Sequence, residues 1–360
     1  MNSVMRNIML EYIGEEPKIL NELLVSNEIE NVIYQAFNSI HSIVFIAHGS
    51  SYNATLTVMH ALRQMTGMRV RVLLPSFVLW NTLSLGDPRT TIIIAVSQTG
   101  ISSGVLETVA RAKAEGYRTL SLSENNSTIL ANLCDYSISL QCGTENSNAK
   151  TKGFVCTQVA LLKMGFALAK KIELIPVEII EEYFNELKGM IDQIKDTMAA
   201  VEDWIYSSHF FENIDHMFFL GESINYGTAC EGQLKLMETL CVPALASDYV
   251  EFTHGMHRCL KPESHIVLIN GREQSFQQKV ELFDYVKQLG ANVLMLDSSG
   301  LFNYEARVIS IPLFKNLQSF LLHTIAIHTL AAYTPFLLNR NPNAFANDDL
   351  ASLMKTRILQ

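Results

Sequence analysis

No run of basic residues occurs anywhere in these 360 residues, and acidic side chains outnumber basic ones 36 to 27, a formal net charge of −9. Gripping a nucleic-acid backbone takes clustered Lys and Arg, so this balance argues against a nucleic-acid partner. Cysteine is sparse as well. The six cysteines (134, 142, 156, 230, 241 and 259) form no C-x-x-C pair, which reads as reduced thiols in a cytosolic protein and not as a disulfide framework. The opening stretch MNSVMRNIMLEYIGEEPKIL carries acidic residues within its first sixteen positions and lacks the continuous apolar core of a signal peptide. The greasiest segment, FLLHTIAIHTLAAYTPFLL (320–338), is broken by His323, His328 and Pro335. It is expected to be a buried helix and not a membrane span. There is no Gly-Lys-Ser/Thr loop, so nothing implies a nucleoside triphosphate. The chain is expected to be cytoplasmic, with no membrane partner.

What is present is apolar side chain, 48% of the total against 18% charged, enough for a sizeable core, over a length that suggests two domains. Four apolar runs in the first half, SIVFIAHGS (42–50), VRVLLP (70–75), TTIIIAVS (90–97) and RTLSLS (118–123), each precede a helical pattern or a turn. Such strands imply parallel sheets covered on both faces. The second half repeats the plan with HMFFLGES (216–223), HIVLING (265–271), NVLMLDS (292–298) and RVISIPL (307–313). Gly49 and Gly221, Ser97 and Asn270, and Gly116 and Gly290 correspond at a nearly constant offset, which points to an internal duplication. The polar stretch 181–204 is expected to be a helical bridge. The domains are placed at 1–190 and 191–360, each an α/β unit with a parallel sheet between helices, three-layered and flavodoxin-like.

Ligands of open parallel sheets bind at the carboxyl ends of the strands. There the first half carries AVSQTGISSG (95–104), two glycines among hydroxyls and an amide between a strand and a helix. Unpaired amides at a helix N-terminus carry partial positive charge. With Gly100 allowing a close turn and Ser97, Thr99 and Ser102 adding hydroxyls, the segment makes a neutral cradle for a phosphate. Simple N-capping is the alternative, although one Ser or Thr would serve it. Ser50 and Ser51 end the neighbouring strand. In the second half the corresponding loop is NGREQS (270–275), where charged groups replace the small hydroxyls, so only the first copy looks made for an anion.

Two other segments carry candidate chemistry. In CEGQLKLMETLCVPALASDYVEFTHGMH (230–257), Glu231, Lys235 and Glu238 share one helix face. They could form a solvated, salt-bridged surface or, with Glu251 and the His254-Gly-Met-His257 run, serve proton transfer on an enediol. A metal at His254 and His257 lacks an evident third ligand. In CGTENSNAKTKGF (142–154), Glu145, Asn146, Ser147 and Asn148 read as loop residues. Lys150 and Lys152 could pair with a phosphate or with acidic neighbours.

Taken in order, GSSYN, SQTGIS, GTENSNAKTK, EGQLKLMET and EFTHG resemble the two-lobed sugar isomerase (SIS) family, whose best-known member is the isomerase half of glucosamine-6-phosphate synthase. The resemblance runs from LEYIGEEPKIL (10–20) to about residue 355. It implies phosphate-binding roles for Ser51, Ser97, Gln98, Thr99 and Ser102, a proton-transferring Glu238 and a ring-opening His254. It also implies a role for Lys235 in the helix, with Gly49, Ser50, Asn148, Lys150 and Glu231 around the sugar. The best match to the family's Schiff-base lysine is Lys355 in LASLMKTRIL, although the Asp-x-Pro-Arg-x-Leu run around it is absent.

The family's usual glutamate after the SQ-S/T-G core is Ile101 here, a small hydroxyl residue before Thr151 is Lys150, and HGP reads His254-Gly255-Met256. No glutaminase domain or N-terminal Cys nucleophile accompanies the motifs. The resemblance therefore implies a cofactor-independent isomerase, deaminase or deglycase of an amino-sugar or fructosamine 6-phosphate. It further implies a homodimer in which the histidine loop serves the neighbouring subunit's site. A sugar-phosphate-binding regulator without turnover is the alternative.

Overall fold

The computed structural model describes residues 6–80, 85–271, 276–302, 305–344 and 346–358. Two compact units emerge. The first comprises Lys18–Glu145, Lys152–Asn185 and the described tail 346–358; the second comprises 6–17, Asn146–Thr151 and Glu186–Ala344. The stretch 181–204 falls in helices Val177–Asp192 and Ile194–Ser207, and the chain passes between units inside the former.

The first unit holds β1 (Ser42–Ala47), β2 (Arg69–Leu73), β3 (Thr91–Val96), β4 (Arg118–Ser123) and β5 (Tyr136–Ser139). They form one parallel sheet in the order β2-β1-β3-β4-β5. Side chains alternate across a strand. Val44 and Ile46 of β1, with Ile93 and Ala95 of β3, pack against Val105, Leu106 and Val109 of helix Ser103–Ala114. Ile43 and Phe45 point the other way and are equally buried, in the layer of helices Gly49–Thr66 and Lys152–Ile172. Being covered on both faces makes the strands apolar throughout.

The second unit repeats the arrangement with β6 (Met217–Leu220), β7 (Ala244–Ser247), β8 (His265–Asn270), β9 (Asn292–Asp297) and β10 (Val308–Ser310). Its parallel order β7-β6-β8-β9-β10 is that of the first sheet. The expected α/β architecture of two helix-flanked parallel sheets is therefore what the chain adopts. β7 was not among the expected strands. It is a short edge strand of Ala, Leu, Ala and Ser after Pro243, only partly buried, and carries neither an apolar run nor an alternation to announce it.

Helix Phe320–Leu337 is nearly all buried and packs on helices Ile224–Leu240 and Ile194–Ser207. It and Lys152–Ile172 are long and apolar enough to cross a membrane, yet 83% and 94% of their apolar windows are buried inside the protein. None of the six cysteines is bridged.

Within Phe320–Leu337 the fully buried His323 donates from Nδ1 to Asn225 Oδ1 at 3.0 Å. Burial pushes its imidazole down to about 3. A histidine neutral when folded but protonated when unfolded gives stability that is complete above about pH 6.5 and falls as pH drops toward 3, at about 1.4 kcal/mol per pH unit. Urea unfolding between pH 7 and pH 5 should show this loss. His323→Asn, which keeps a donor for Asn225, should remove most of that slope.

Candidate active site

Strand order places the first candidate site. From β1 the chain crosses to β2 through helix Gly49–Thr66, and from β3 it crosses the opposite way to β4 through helix Ser103–Ala114. The carboxyl ends of β1 and β3, paired up to Ala47 and Val96, are thus the point where crossovers diverge and a crevice opens. Both helices begin there, and neither has an acidic residue in its first turn. Gly49 (φ 53°), Ser50 and Ser51 form the start of one, and Ser102 stands at the N-cap position of the other without a side-chain capping hydrogen bond. The two starts touch, since the His48 Nε2 atom lies 3.2 Å from where a Cβ on Gly104 would stand. Burial pulls the His48 imidazole below its ordinary value.

The SQTGIS loop is braced from several sides. Ser97 is buried and its N–H donates to Leu122 O at 3.1 Å, while Glu124 N–H donates to Gln98 O at 2.7 Å. Gly100 closes a turn on Ser97 (3.0 Å) with φ +67°, and any Cβ there would fall 2.5 Å from Thr128 Cβ. Thr99 is exposed, and Ser51, Gln98 and Ser102 are half-buried.

Glu145, a loop residue in the sequence reading, proves central to this arrangement. Its buried carboxylate accepts from the N–H groups of Lys152 (3.0 Å) and Gly153 (2.9 Å) at the start of helix Lys152–Ile172, and from Gln98 Nε2 at 2.9 Å. Gly153 makes room for that amide, because a Cβ there would lie 2.0 Å from Gln98 Oε1. Nothing local in the sequence distinguishes this glutamate from its polar neighbours; the pairing spans 47 residues.

The described tail returns to this loop. Ser103 Oγ donates to Lys355 O at 2.8 Å, and Ser103 N–H donates to Thr356 O at 3.1 Å. Lys355, exposed and with φ 51°, is therefore brought beside the loop.

The second unit carries the residues that the sequence suggested for proton transfer. On helix Ile224–Leu240, Lys235 (1% side-chain exposure) contacts Glu231 Oε1 at 3.3 Å (0%) and Glu238 Oε2 at 2.5 Å (30%). Glu231 also lies 3.6 Å from His328 Nε2 on helix Phe320–Leu337. This is no solvated surface face. Burial pulls the Lys235 ammonium down, but Glu231 and Glu238 outweigh it and hold the amine above its ordinary value. His254 is exposed on the loop after the short helix Tyr249–Phe252, with Nδ1 2.9 Å from Val250 O. That bond leaves Nε2 as the outward nitrogen. Asn148 and Lys150 belong to this unit, and Asn148 N–H donates to Asn343 Oδ1 at 2.8 Å.

The second unit's own switch point is occupied from within. Glu222, which stands where the first copy has Ser50, pairs with the buried Lys279 at 3.0 Å. Asn270, the counterpart of Ser97, donates to Asp297 Oδ1 at 2.6 Å. Of NGREQS, residues 272–275 lie outside the described residues. Among the described residues no group of three His, Cys, Asp or Glu side chains is arranged to hold a metal ion.

Two outcomes test this geometry. Glu145→Ala strips the acceptor from two buried amides and should lower unfolding stability by about 2 kcal/mol, read from chemical denaturation. Lys235→Met leaves Glu231 charged and buried and should cost about 3–5 kcal/mol, with much of the loss recovered in Lys235→Met/Glu231→Gln.

Residues 36–166 match the SIS domain family model. The isomerizing glutamine–fructose-6-phosphate aminotransferase of Mycobacterium tuberculosis is 25% identical over 339 residues, 90% of this chain and 54% of that protein. The chain thus spans about half the length of the curated relatives it matches. Among solved structures, a Clostridium difficile protein provisionally assigned as a phosphosugar isomerase has a TM-score of 0.88 at 22% identity, covering 98% of this chain and 99% of the other. The C-terminal domain of the Francisella tularensis glucosamine-fructose-6-phosphate aminotransferase has a TM-score of 0.86 at 19% identity, covering 95% and 99%. Residues 36–166 thus resemble the SIS domain family, and the chain shares the fold of these solved structures along nearly its whole length.

Proposed function

We propose that the chain is a cytoplasmic, cofactor-independent enzyme acting on an amino-sugar or fructosamine 6-phosphate, as an isomerase, deaminase or deglycase. The observation that carries this reading is the Glu231–Lys235–Glu238 clamp, a buried ammonium between one buried carboxylate and one that reaches solvent. The buried ammonium holds in place a carboxylate that still reaches solvent, where a proton-transferring group has to meet its substrate. The names of similar proteins, fructose-6-phosphate aminotransferases and a Thermotoga maritima glucosamine-6-phosphate deaminase with a TM-score of 0.76 at 20% identity over 93% of this chain and 96% of the other, support a hexose 6-phosphate as the class.

In this reading Ser51, Ser97, Gln98, Thr99 and Ser102 hold the phosphate, so its binding energy orients the reacting end. Gly49, Ser50, Asn148, Lys150 and Glu231 surround the sugar. His254 opens the ring through Nε2. Glu238 then moves a proton between C1 and C2 by an enediol or enolamine, with Glu238 Oε2 steadied by Lys235. Lys235 stabilises the charge that develops on the substrate oxygen. As a clamped ammonium it is ill-suited to form an imine, which needs the free amine; that role falls to Lys355. The exposed His254 loop fits a homodimer in which it serves the partner's site.

The test is turnover on a panel of hexosamine and fructosamine 6-phosphates, reading amine release and aldose–ketose exchange. Glu238→Gln should lower kcat by about a hundredfold or more while KM changes little. If sites are shared, mixing inactive Glu238→Gln and His254→Asn subunits should restore about a quarter of the activity. Full activity in Glu238→Gln refutes this mechanism. Binding without turnover of any panel member points instead to a sugar-phosphate-binding regulator.

A further inference from the structure

Ser102, the last hydroxyl before helix Ser103–Ala114, stands opposite Arg357 in an isolated antiparallel bridge. The register is held on both sides. Ile358 N–H donates to Ile101 O at 3.0 Å and Ser103 N–H donates to Thr356 O at 3.1 Å, with Ser103 Oγ on Lys355 O at 2.8 Å. Residues directly opposite in an antiparallel pair project to the same face, their Cβ atoms about 5 Å apart. Arg357 therefore leaves the backbone on the face of Ser102, while Thr356 and Ile358 turn to the other.

The charge brought there has nothing nearby in the loop to neutralise it. Residues 97–103 contain no acidic side chain, and position 101 is isoleucine. The first turns of helices Gly49–Thr66 and Ser103–Ala114 are free of acidic residues too. Among the described residues, the Arg357 side chain takes part in no ion pair or side-chain hydrogen bond. An exposed guanidinium held by its backbone against a loop of hydroxyls is a donor set for an anion. Its planar fork matches two oxygens of a phosphate monoester at once.

We propose that Arg357 is a phosphate-binding residue, adding a fixed positive charge to the otherwise neutral cradle of Ser97, Thr99 and Ser102. This rests on reading the SQTGIS loop as the phosphate site. It makes the tail part of the binding site, because the backbone bonds of residues 355–358 to 101–103 place the guanidinium there.

Inorganic phosphate is the probe, since it lacks the sugar and any aglycone charge, and its dissociation constant is measured by titration calorimetry on the full chain. Arg357→Gln should weaken phosphate binding about tenfold. Arg357→Lys, which keeps the charge and loses the fork, should fall between it and wild type. Wild-type affinity should also drop more steeply with sodium chloride than that of Arg357→Gln. Ser97→Ala reports on the cradle separately. If Ser97→Ala weakens binding and Arg357→Gln does not, the role of Arg357 is refuted and the cradle stands. If wild type binds no phosphate, both fall.

Discussion

A sheet whose strands all run one way cannot be closed by hairpins; each strand has to be joined to the next by a crossover that packs on one face. Most of this molecule follows from that constraint. It demands helices on both faces, which is why the strands are apolar throughout and why Ile43 and Val44, neighbours that point oppositely, are both buried. It gathers the helix starts at one edge. Where the crossovers after β1 and β3 diverge, two helix N-termini without acidic first turns are left side by side, and the dipole of a helix start favours an anion.

The two units solve the same electrostatic problem differently. In the first, the helix starts are lined by serine and threonine, while Glu145 satisfies the N-terminus of helix Lys152–Ile172 and steers Gln98 at the same time. In the second, the chain supplies its own anion. Glu222 meets the buried Lys279, and Asn270 is engaged by Asp297. A duplicated fold thus lines one switch point with small hydroxyls and fills the other with an internal ion pair. The second unit carries instead a helix face on which a buried ammonium holds two carboxylates in different environments.

Some of this was legible from local pattern. The apolar runs of 42–47, 91–96 and 265–270 announce buried strands, and the density of small hydroxyls in SQTGIS exceeds what capping one helix requires. The i, i+4, i+7 spacing of Glu231, Lys235 and Glu238 places them on one helix face. Whether that face is wet or dry depends on Phe320–Leu337, some ninety residues away, covering it and bringing His328 to Glu231. β7 escaped because an edge strand of small residues needs no apolar run.

The sequence by itself determined the fold class, the repeat and the position of the hydroxyl loop, because strand burial and helix-start chemistry are written in contiguous residues. Only the tertiary structure decided what those elements meet. Glu145 with Gln98, the space left by Gly153, Glu222 with Lys279, and Arg357 opposite Ser102 all join distant segments. Their partners are chosen by how the crossovers return the chain to the sheet, and no short window of sequence contains that information.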